Sequence, residues 1–211
     1  PEDTPIGVSF AKHFGLEDAI LDVKILPDRG SDALAYQGLA REIAALEGNE
    51  AHFLKTSLQP IRAHTSNTAP QVVIDDREGC LRYVGMAFEN ITVGESPLWL
   101  KIKLLLSGLR PINTIVDITN YLMLLTGQPT HAFDRDTITG TVTIRKAKNN
   151  ETLTLLTGET KTLSVEDVVI ADDTQALALA GVMGGTRSLV TEKTKNIFLE
   201  IATFDGATVR R

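Results

Sequence analysis

The strongest constraint on the fold is a change of pattern near residue 141. From Thr141 onward, short segments rich in β-branched residues alternate with turn residues such as Thr157-Gly158 and Asp172-Asp173. The part before it carries apolar residues at helical spacing. A helical half followed by an all-β half predicts an α+β fold of stacked β-sheet layers with flanking helices. The strands of the second half are expected at residues 141–147, 152–156, 160–163, 167–171, 175–180 and 196–202.

The first predicted helix has apolar residues at helical spacing from Leu34 to Leu46. Ser31 or Asp32 is the expected N-cap, because a short polar side chain can accept hydrogen bonds from the first free backbone N–H groups. Gly48 is the expected stop.

Two more helices are predicted in the middle of the chain. One opens at Ser96-Pro97, with the serine as N-cap, and ends before Gly108. The other covers residues 112–126, where β-branched residues weaken the helical propensity but the apolar spacing and the following Gly127 favour a helix.

Further strands are predicted at residues 19–26, 72–74 and 83–93. Residues 50–70 contain polar clusters and two prolines, which is typical of an irregular connector. The predicted division is therefore an N-terminal strand–helix segment with its connector at 1–70 and a second domain at 71–211.

Composition excludes several classes of protein. The 21 basic and 27 acidic residues give a net charge of −6, which is not the footprint of a general nucleic-acid binder, although a local basic strip is compatible with it. One cysteine excludes an internal disulfide, and four histidines make a structural zinc site an unexpected feature. No apolar run reaches the ~20 residues that a membrane span needs. The single cysteine and the lack of a membrane span predict a protein of the reducing cytoplasm. Because the sequence starts at Pro1, we expect it to be a piece of a longer chain.

The glycine-dense segment 181–185 lacks the Lys-Ser/Thr ending of a phosphate-binding loop. Two interpretations stay open: a tight turn in which side chains would clash, or bare backbone that approaches a ligand closely. Cys80 is expected to be a buried, unreactive thiol. His131 follows a predicted helix in a loop, where a hydrogen-bonded structural role and a catalytic role are both open.

Glu200 is the most informative single residue, since it lies in the otherwise apolar strand Ile197–Ala202. Strand alternation places it on the face of Phe198 and Ala202. A carboxylate on a partly buried face costs free energy unless it has a partner. Glu200 therefore either accepts a hydrogen bond from a backbone N–H or binds a ligand. The same two roles are open for Asn120, because asparagine is unfavourable within a helix.

Several stretches together resemble the tRNA-editing domain of the β subunit of bacterial phenylalanine–tRNA ligase. They are LPDRGSDALAYQGLAREIAAL at 26–46, RPINTIVDITNYLMLLTGQPTHAFD at 110–134, ALAGVMGG at 178–185 and NIFLEIATFD at 196–205. The resemblance implies that fold for the chain and an editing domain at 71–211, truncated at its C-terminus because a Thr-x-Ala-Ser segment of the pocket would follow.

The implied activity is hydrolysis of tyrosine wrongly esterified to the phenylalanine tRNA. A phenylalanine pocket rejects an added hydroxyl weakly, so a second pocket must remove the error. Glu200 matches the family's glutamate that recognises the tyrosine hydroxyl, and His131 matches its editing histidine, as a base or as a group that positions water or the terminal adenosine. Gly181 and Gly184 would form the pocket wall, and Thr119 and Asn120 would line the same pocket.

The resemblance also implies partners and cofactors. The tRNA acceptor end with its tyrosyl ester is the expected substrate, and an α subunit completes an (αβ)2 heterotetramer. No cofactor or metal is expected in this part of the ligase, whereas ATP and magnesium would bind elsewhere in the whole enzyme. The alternative is a non-catalytic scaffold, or a module that binds tRNA ends or amino acids, and this alternative predicts no cavity between Asn120, His131, Gly181 and Glu200.

Overall fold

The computed structural model describes residues 4–52 and 69–210, which form two compact units. Of the described residues, the first unit takes in 4–52 and 95–127, and the second takes in 69–94 and 128–210. This division differs from the predicted boundary at residue 70, because the central helices pack with the N-terminal helix of the first unit. The extent of the functional domain stays a prediction.

The first unit is helical. Its longest helix ends at Gly127, which has a φ of 78° and donates its N–H to the carbonyl of Met123. That left-handed cap is the stop that the sequence predicts. Asp117 of this helix is fully buried, where its carboxylate accepts hydrogen bonds from the Ser96 hydroxyl and the Ile112 N–H. The helices are α1 (Phe10–His13), α2 (Tyr36–Leu46), α3 (Leu98–Leu106) and α4 (Thr114–Thr126).

Three predictions for the first unit are wrong. Residues 19–26 form no strand, since Ile20 and Leu21 are exposed and none of the strands that the structure describes pairs with them. Helix α2 begins after Ala35 rather than after Ser31 or Asp32, because Asp32 accepts hydrogen bonds from the guanidinium of Arg29 instead.

The N-cap of α3 is also displaced by one residue. Pro97 occupies that position, while the Ser96 hydroxyl donates to Asp117. The helix still ends before Gly108, whose φ is 79°.

Among its described residues, the second unit contains the strands and one short α-helix. Each strand expected between residues 72 and 202 is present, often shorter than predicted, and β2 begins earlier and ends at Phe88 rather than Val93. The elements are β1 (Val72–Ile74), β2 (Cys80–Phe88), β3 (His131–Asp134), β4 (Val142–Lys146), β5 (Thr152–Thr154), β6 (Thr160–Thr162), β7 (Val168–Ala171), β8 (Ala176–Leu179), β9 (Met183–Gly184), β10 (Ile197–Phe204) and α5 (Gly206–Val209).

These strands form three sheets. A five-stranded sheet has the order β1-β4-β7-β8-β9, a three-stranded sheet has the order β2-β10-β3, and β5 pairs with β6. The β1–β4 pair is parallel and the remaining pairs are antiparallel.

The main core lies between the five-stranded and three-stranded sheets. Phe133 and Phe198 from the smaller sheet pack in one cluster with Val142, Ile144 and Ile170 from the larger one. Val169 and Ala171, on the opposite face of the larger sheet, pack with Leu153 and Leu155 near the β5–β6 pair. The predicted α+β class with stacked sheet layers is thus confirmed.

The predicted connector at residues 50–70 lies mostly outside the described residues, since 53–68 are not among them. Among the helices that are described, none combines the length and apolarity needed to cross a bilayer.

Candidate functional site

A cavity of about 490 Å³ opens in the second unit, at one end of the three-stranded sheet. Its volume lies within the roughly 300–1,000 Å³ typical of small-molecule sites. Apolar side chains line much of it, and a few polar groups converge among them. The lining comprises Gln128, Pro129, Thr130, His131, Ile170, Ala178, Leu179, Gly181, Val182, Met183, Gly184, Glu200, Ala202, Thr203, Phe204, Gly206 and Val209.

Glu200 is buried in this cavity, with 7% of its surface exposed. Its carboxyl group makes no hydrogen bond or ion pair with any residue that the structure describes. Burial alone raises the pKa of Glu200 from 4.5 to about 8, because a charged carboxylate is poorly solvated there. Glu200 is therefore mostly protonated at neutral pH.

His131 lies directly opposite Glu200, as its cross-strand partner on β3. Facing residues of this kind have Cβ atoms about 4.5–5.5 Å apart. The imidazole contacts the ring of Phe133 edge-on, with 4.5 Å between the ring centroids. Burial lowers the pKa of His131 below its ordinary 6.5, so the imidazole is neutral at pH 7.

Gly184 forms the surface on which the His131 ring rests. A Cβ at this position would lie 2.7 Å from Cε1 and 2.8 Å from Nε2 of that ring. The imidazole therefore approaches the backbone more closely than any other residue at 184 would allow.

The remainder of the glycine-dense segment is a tight turn between β8 and β9. Gly181 has a φ of 70°, and a Cβ there would meet Phe204 and Val209 at 3.1 Å. Gly185 donates its N–H to the carbonyl of Leu177. The turn interpretation is confirmed, and the same turn places the backbone of Gly181 and Gly184 in the cavity wall.

The two predicted residues of α4 belong to the other unit. Thr119 is nearly buried there, and its hydroxyl donates to the carbonyl of Val116. Asn120 is partly buried on the same helix. Neither is among the residues that line the cavity of the second unit, so their part in the pocket stays a prediction.

Two groups near the site were missed by the sequence analysis. The hydroxyl oxygens of Thr130 and Tyr83 are buried and have no hydrogen-bond partner among the described residues. Thr130 lines the cavity beside His131, and Tyr83 packs against the main core. No sequence pattern marked either hydroxyl, because unpaired hydroxyls arise from tertiary packing.

Cys80 is a buried thiol, as predicted. Its Sγ donates to the carbonyl of Arg82, and burial raises its pKa. Within residues 4–52 and 69–210, no group of three or more His, Cys, Asp or Glu side chains could hold a metal ion.

This arrangement can bind a small, largely apolar group that carries one hydrogen-bonding function. An apolar ring would contact Ile170, Leu179 and Phe204, while a hydroxyl on it could reach the unpaired carboxyl of Glu200. Binding the same ring without the hydroxyl would leave that carboxyl unpaired, at a cost of about 1–3 kcal/mol. A neutral imidazole next to it can accept a proton from water.

The fold and the cavity together define an α+β domain with a ligand-sized pocket that holds an unpaired acid and a neutral histidine. The sequence profile of the B3/4 domain matches residues 79–211. The chain belongs to the B3/4 domain family.

Curated relatives of this chain include β subunits of phenylalanine–tRNA ligase. Those of Fusobacterium nucleatum and Carboxydothermus hydrogenoformans are 42% and 40% identical over the full chain, and that of Francisella tularensis is 43% identical over 97% of it. The chain spans about a quarter of the length of these relatives. The resemblance to this β-subunit family is thereby confirmed.

A solved N-terminal fragment of the phenylalanyl-tRNA synthetase β subunit from Pyrococcus horikoshii also matches. It is 15% identical, with a TM-score of 0.48 over 66% of this chain and 44% of that one.

Proposed function

We propose that this chain is the editing part of a phenylalanine–tRNA ligase β subunit, and that it hydrolyses the ester of tRNA(Phe) mischarged with tyrosine. The relatives are β subunits of that ligase, and the matched B3/4 domain is the family of its editing domain. The observation that carries the proposal is the buried, unpaired carboxyl of Glu200 opposite the neutral imidazole of His131.

Glu200 would select the substrate. The tyrosyl hydroxyl donates to its carboxyl oxygen, whereas a phenylalanyl ring leaves that group unsatisfied. The resulting difference of about 1–3 kcal/mol is a discrimination of roughly tenfold or better.

His131 would serve the hydrolysis by holding the attacking water or the terminal adenosine, or by accepting the proton of that water. Its contact with Gly184 fixes the ring at the cavity wall. An aminoacyl ester is already activated, so correct placement of water can supply much of the rate.

The rest of the proposal concerns the whole ligase. The partners would be the acceptor end of tRNA(Phe), which Thr119 and Asn120 would help to bind, and an α subunit in an (αβ)2 heterotetramer. ATP and magnesium would serve the charging reaction at another site. The non-catalytic alternative predicted no cavity between Asn120, His131, Gly181 and Glu200. Asn120 does not line the cavity, but the other three share it, which argues against that alternative.

The test is deacylation by the full-length subunit assembled with its partner subunit. With Glu200→Ala, tyrosine should persist on tRNA(Phe) while charging with phenylalanine survives. Glu192→Gln, at an exposed glutamate of the same unit, is the control. Unchanged hydrolysis of tyrosyl-tRNA(Phe) in the Glu200→Ala enzyme would remove the assignment.

A further inference from the structure

Tyr83 lies on the same face of the three-stranded sheet as Glu200. On the paired strands, Tyr83 faces Ala202 and Gly85 faces Glu200. Tyr83 is thus the diagonal neighbour of Glu200 across β2 and β10. Diagonal neighbours are within reach of each other when one of them is aromatic.

The Tyr83 hydroxyl is a buried polar group with no partner in the part of the chain that the structure describes. Buried tyrosine hydroxyls normally have a hydrogen-bond partner. Burial raises the pKa of Tyr83 far above its ordinary 10, and the nearby carboxylate of Glu200 raises it further. Tyr83 therefore keeps its proton and can act as a donor.

Gly85, which pairs with Glu200 and lies two residues from Tyr83, has no side chain. The ring of Phe198 fills the space where its Cβ would stand, since that Cβ would lie 2.1 Å from Cζ of Phe198. The ring helps to keep water away from this part of the sheet, so the unpaired hydroxyl and the unpaired carboxyl share one poorly solvated face.

We propose that Tyr83 is a positioning residue for Glu200, whose hydroxyl donates a hydrogen bond to the Glu200 carboxyl when a phenol occupies the cavity. This inference rests on the proposed editing function. One carboxyl oxygen then accepts from Tyr83 and the other accepts from the substrate hydroxyl. Tyr83 does not line the cavity, so it acts on the substrate only through Glu200.

A hydrogen bond from Tyr83 would affect both the recognition of tyrosine and the pKa of Glu200. A donor to the ionised carboxylate favours that form and lowers its pKa. The titratable groups that face Glu200 are His131 from β3 and Tyr83 and Cys80 from β2. Removing the Tyr83 hydroxyl should therefore weaken recognition of tyrosine and move the titration of Glu200 in the substrate-bound enzyme to higher pH.

The test is Tyr83→Phe in the assembled full-length enzyme, with Tyr36→Phe as the control. Tyr36 lies in the other unit, where its hydroxyl bonds to that of Ser107. For Tyr83→Phe we expect kcat/KM for tyrosyl-tRNA(Phe) to fall roughly tenfold. Hydrolysis of phenylalanyl-tRNA(Phe) should be unchanged, and the inflection that Glu200 gives to the pH profile of kcat, which reports the substrate-bound enzyme, should move upward.

Two further measurements separate the possible failures. Thermal unfolding of Tyr83→Phe should show no loss of stability, because the variant removes only an unpaired buried hydroxyl. Glu200→Ala in the same assay tests the editing function itself. If Glu200→Ala abolishes the preference for tyrosine and Tyr83→Phe leaves both the preference and the pH profile intact, the inference about Tyr83 is wrong. If neither variant has an effect, the proposed editing function itself is wrong.

Discussion

Glu200 on β10 and His131 on β3 are direct cross-strand partners, and both are mostly uncharged at neutral pH. The same burial that raises the pKa of the acid lowers the pKa of the base. An ion pair between them would have satisfied both groups internally. The absence of such a pair, among the residues that the structure describes, leaves the carboxyl available to a ligand.

The buried acid predicts a pH-dependent cost in stability. Because its pKa is about 8 in the folded state against an ordinary 4.5, the folded protein holds a proton that the unfolded chain releases. The free energy of unfolding should therefore fall as pH rises from 4.5 to 8, by an amount on the order of 4–5 kcal/mol from this group. Glu200→Gln lacks this contribution.

The measurement is chemical denaturation of the wild type and of Glu200→Gln at several pH values. The stability of the variant relative to the wild type should grow between pH 5 and 8, while other titrating groups cancel in the difference. Glu192→Gln, at an exposed position, is the matched control. A difference that stays constant over this range would show that Glu200 is paired or solvated in the folded protein.

Gly184 gives a way to move His131 without changing it. The Cβ of an alanine would stand 2.7 Å from Cε1 of the imidazole, and Phe133 packs edge-on against that ring. Gly184→Ala should displace the ring and lower deacylation of tyrosyl-tRNA(Phe) by roughly 10- to 100-fold, as expected for a misplaced catalytic group. The overpacking should cost about 1–3 kcal/mol in stability.

Gly94→Ala is the control for that variant, since nothing lies within 4 Å of the Cβ it would add. The rates should be measured well below the unfolding temperature of each variant. Full activity of Gly184→Ala would mean that the imidazole is not held at this wall, and His131 would then lose its assigned part in hydrolysis.

Local sequence pattern predicted most elements of this fold because the signals were local. Glycine stops ended α3 and α4 where expected, and turn residues separated the strands after Thr141. The strand expected at 19–26 is absent because its formation depends on a non-local contact. Its alternating apolar residues needed a neighbouring strand, and no local signal reports whether one exists.

The site shows the same limit. Glu200 could be recognised from the sequence because a carboxylate in an apolar strand is unusual. His131 was expected in a loop, but pairing with β10 makes it the first residue of β3. The unpaired hydroxyls of Thr130 and Tyr83 depend on which groups tertiary packing leaves without partners, so no sequence pattern could reveal them.

The two possible roles of His131 predict different pH profiles for ester hydrolysis. Because burial lowers the pKa of His131 below 6.5, the imidazole stays neutral as pH falls from 8 toward 6.5. A general base would make the rate fall only at lower pH, where the imidazole gains a proton, and His131→Asn would abolish this inflection. A group that only holds water or adenosine would give a variant slower by the same factor at every pH.

The measurement is the pH dependence of kcat/KM for tyrosyl-tRNA(Phe), after subtraction of hydrolysis without enzyme. Below pH 7 the change belongs to His131, because Glu200, with its pKa near 8, remains protonated there. An inflection above pH 6.5 that disappears in His131→Asn would contradict the structure, since it would require an imidazole more easily protonated than one in water. A buried ring with no carboxylate paired to it cannot behave in that way, because desolvation disfavours the imidazolium.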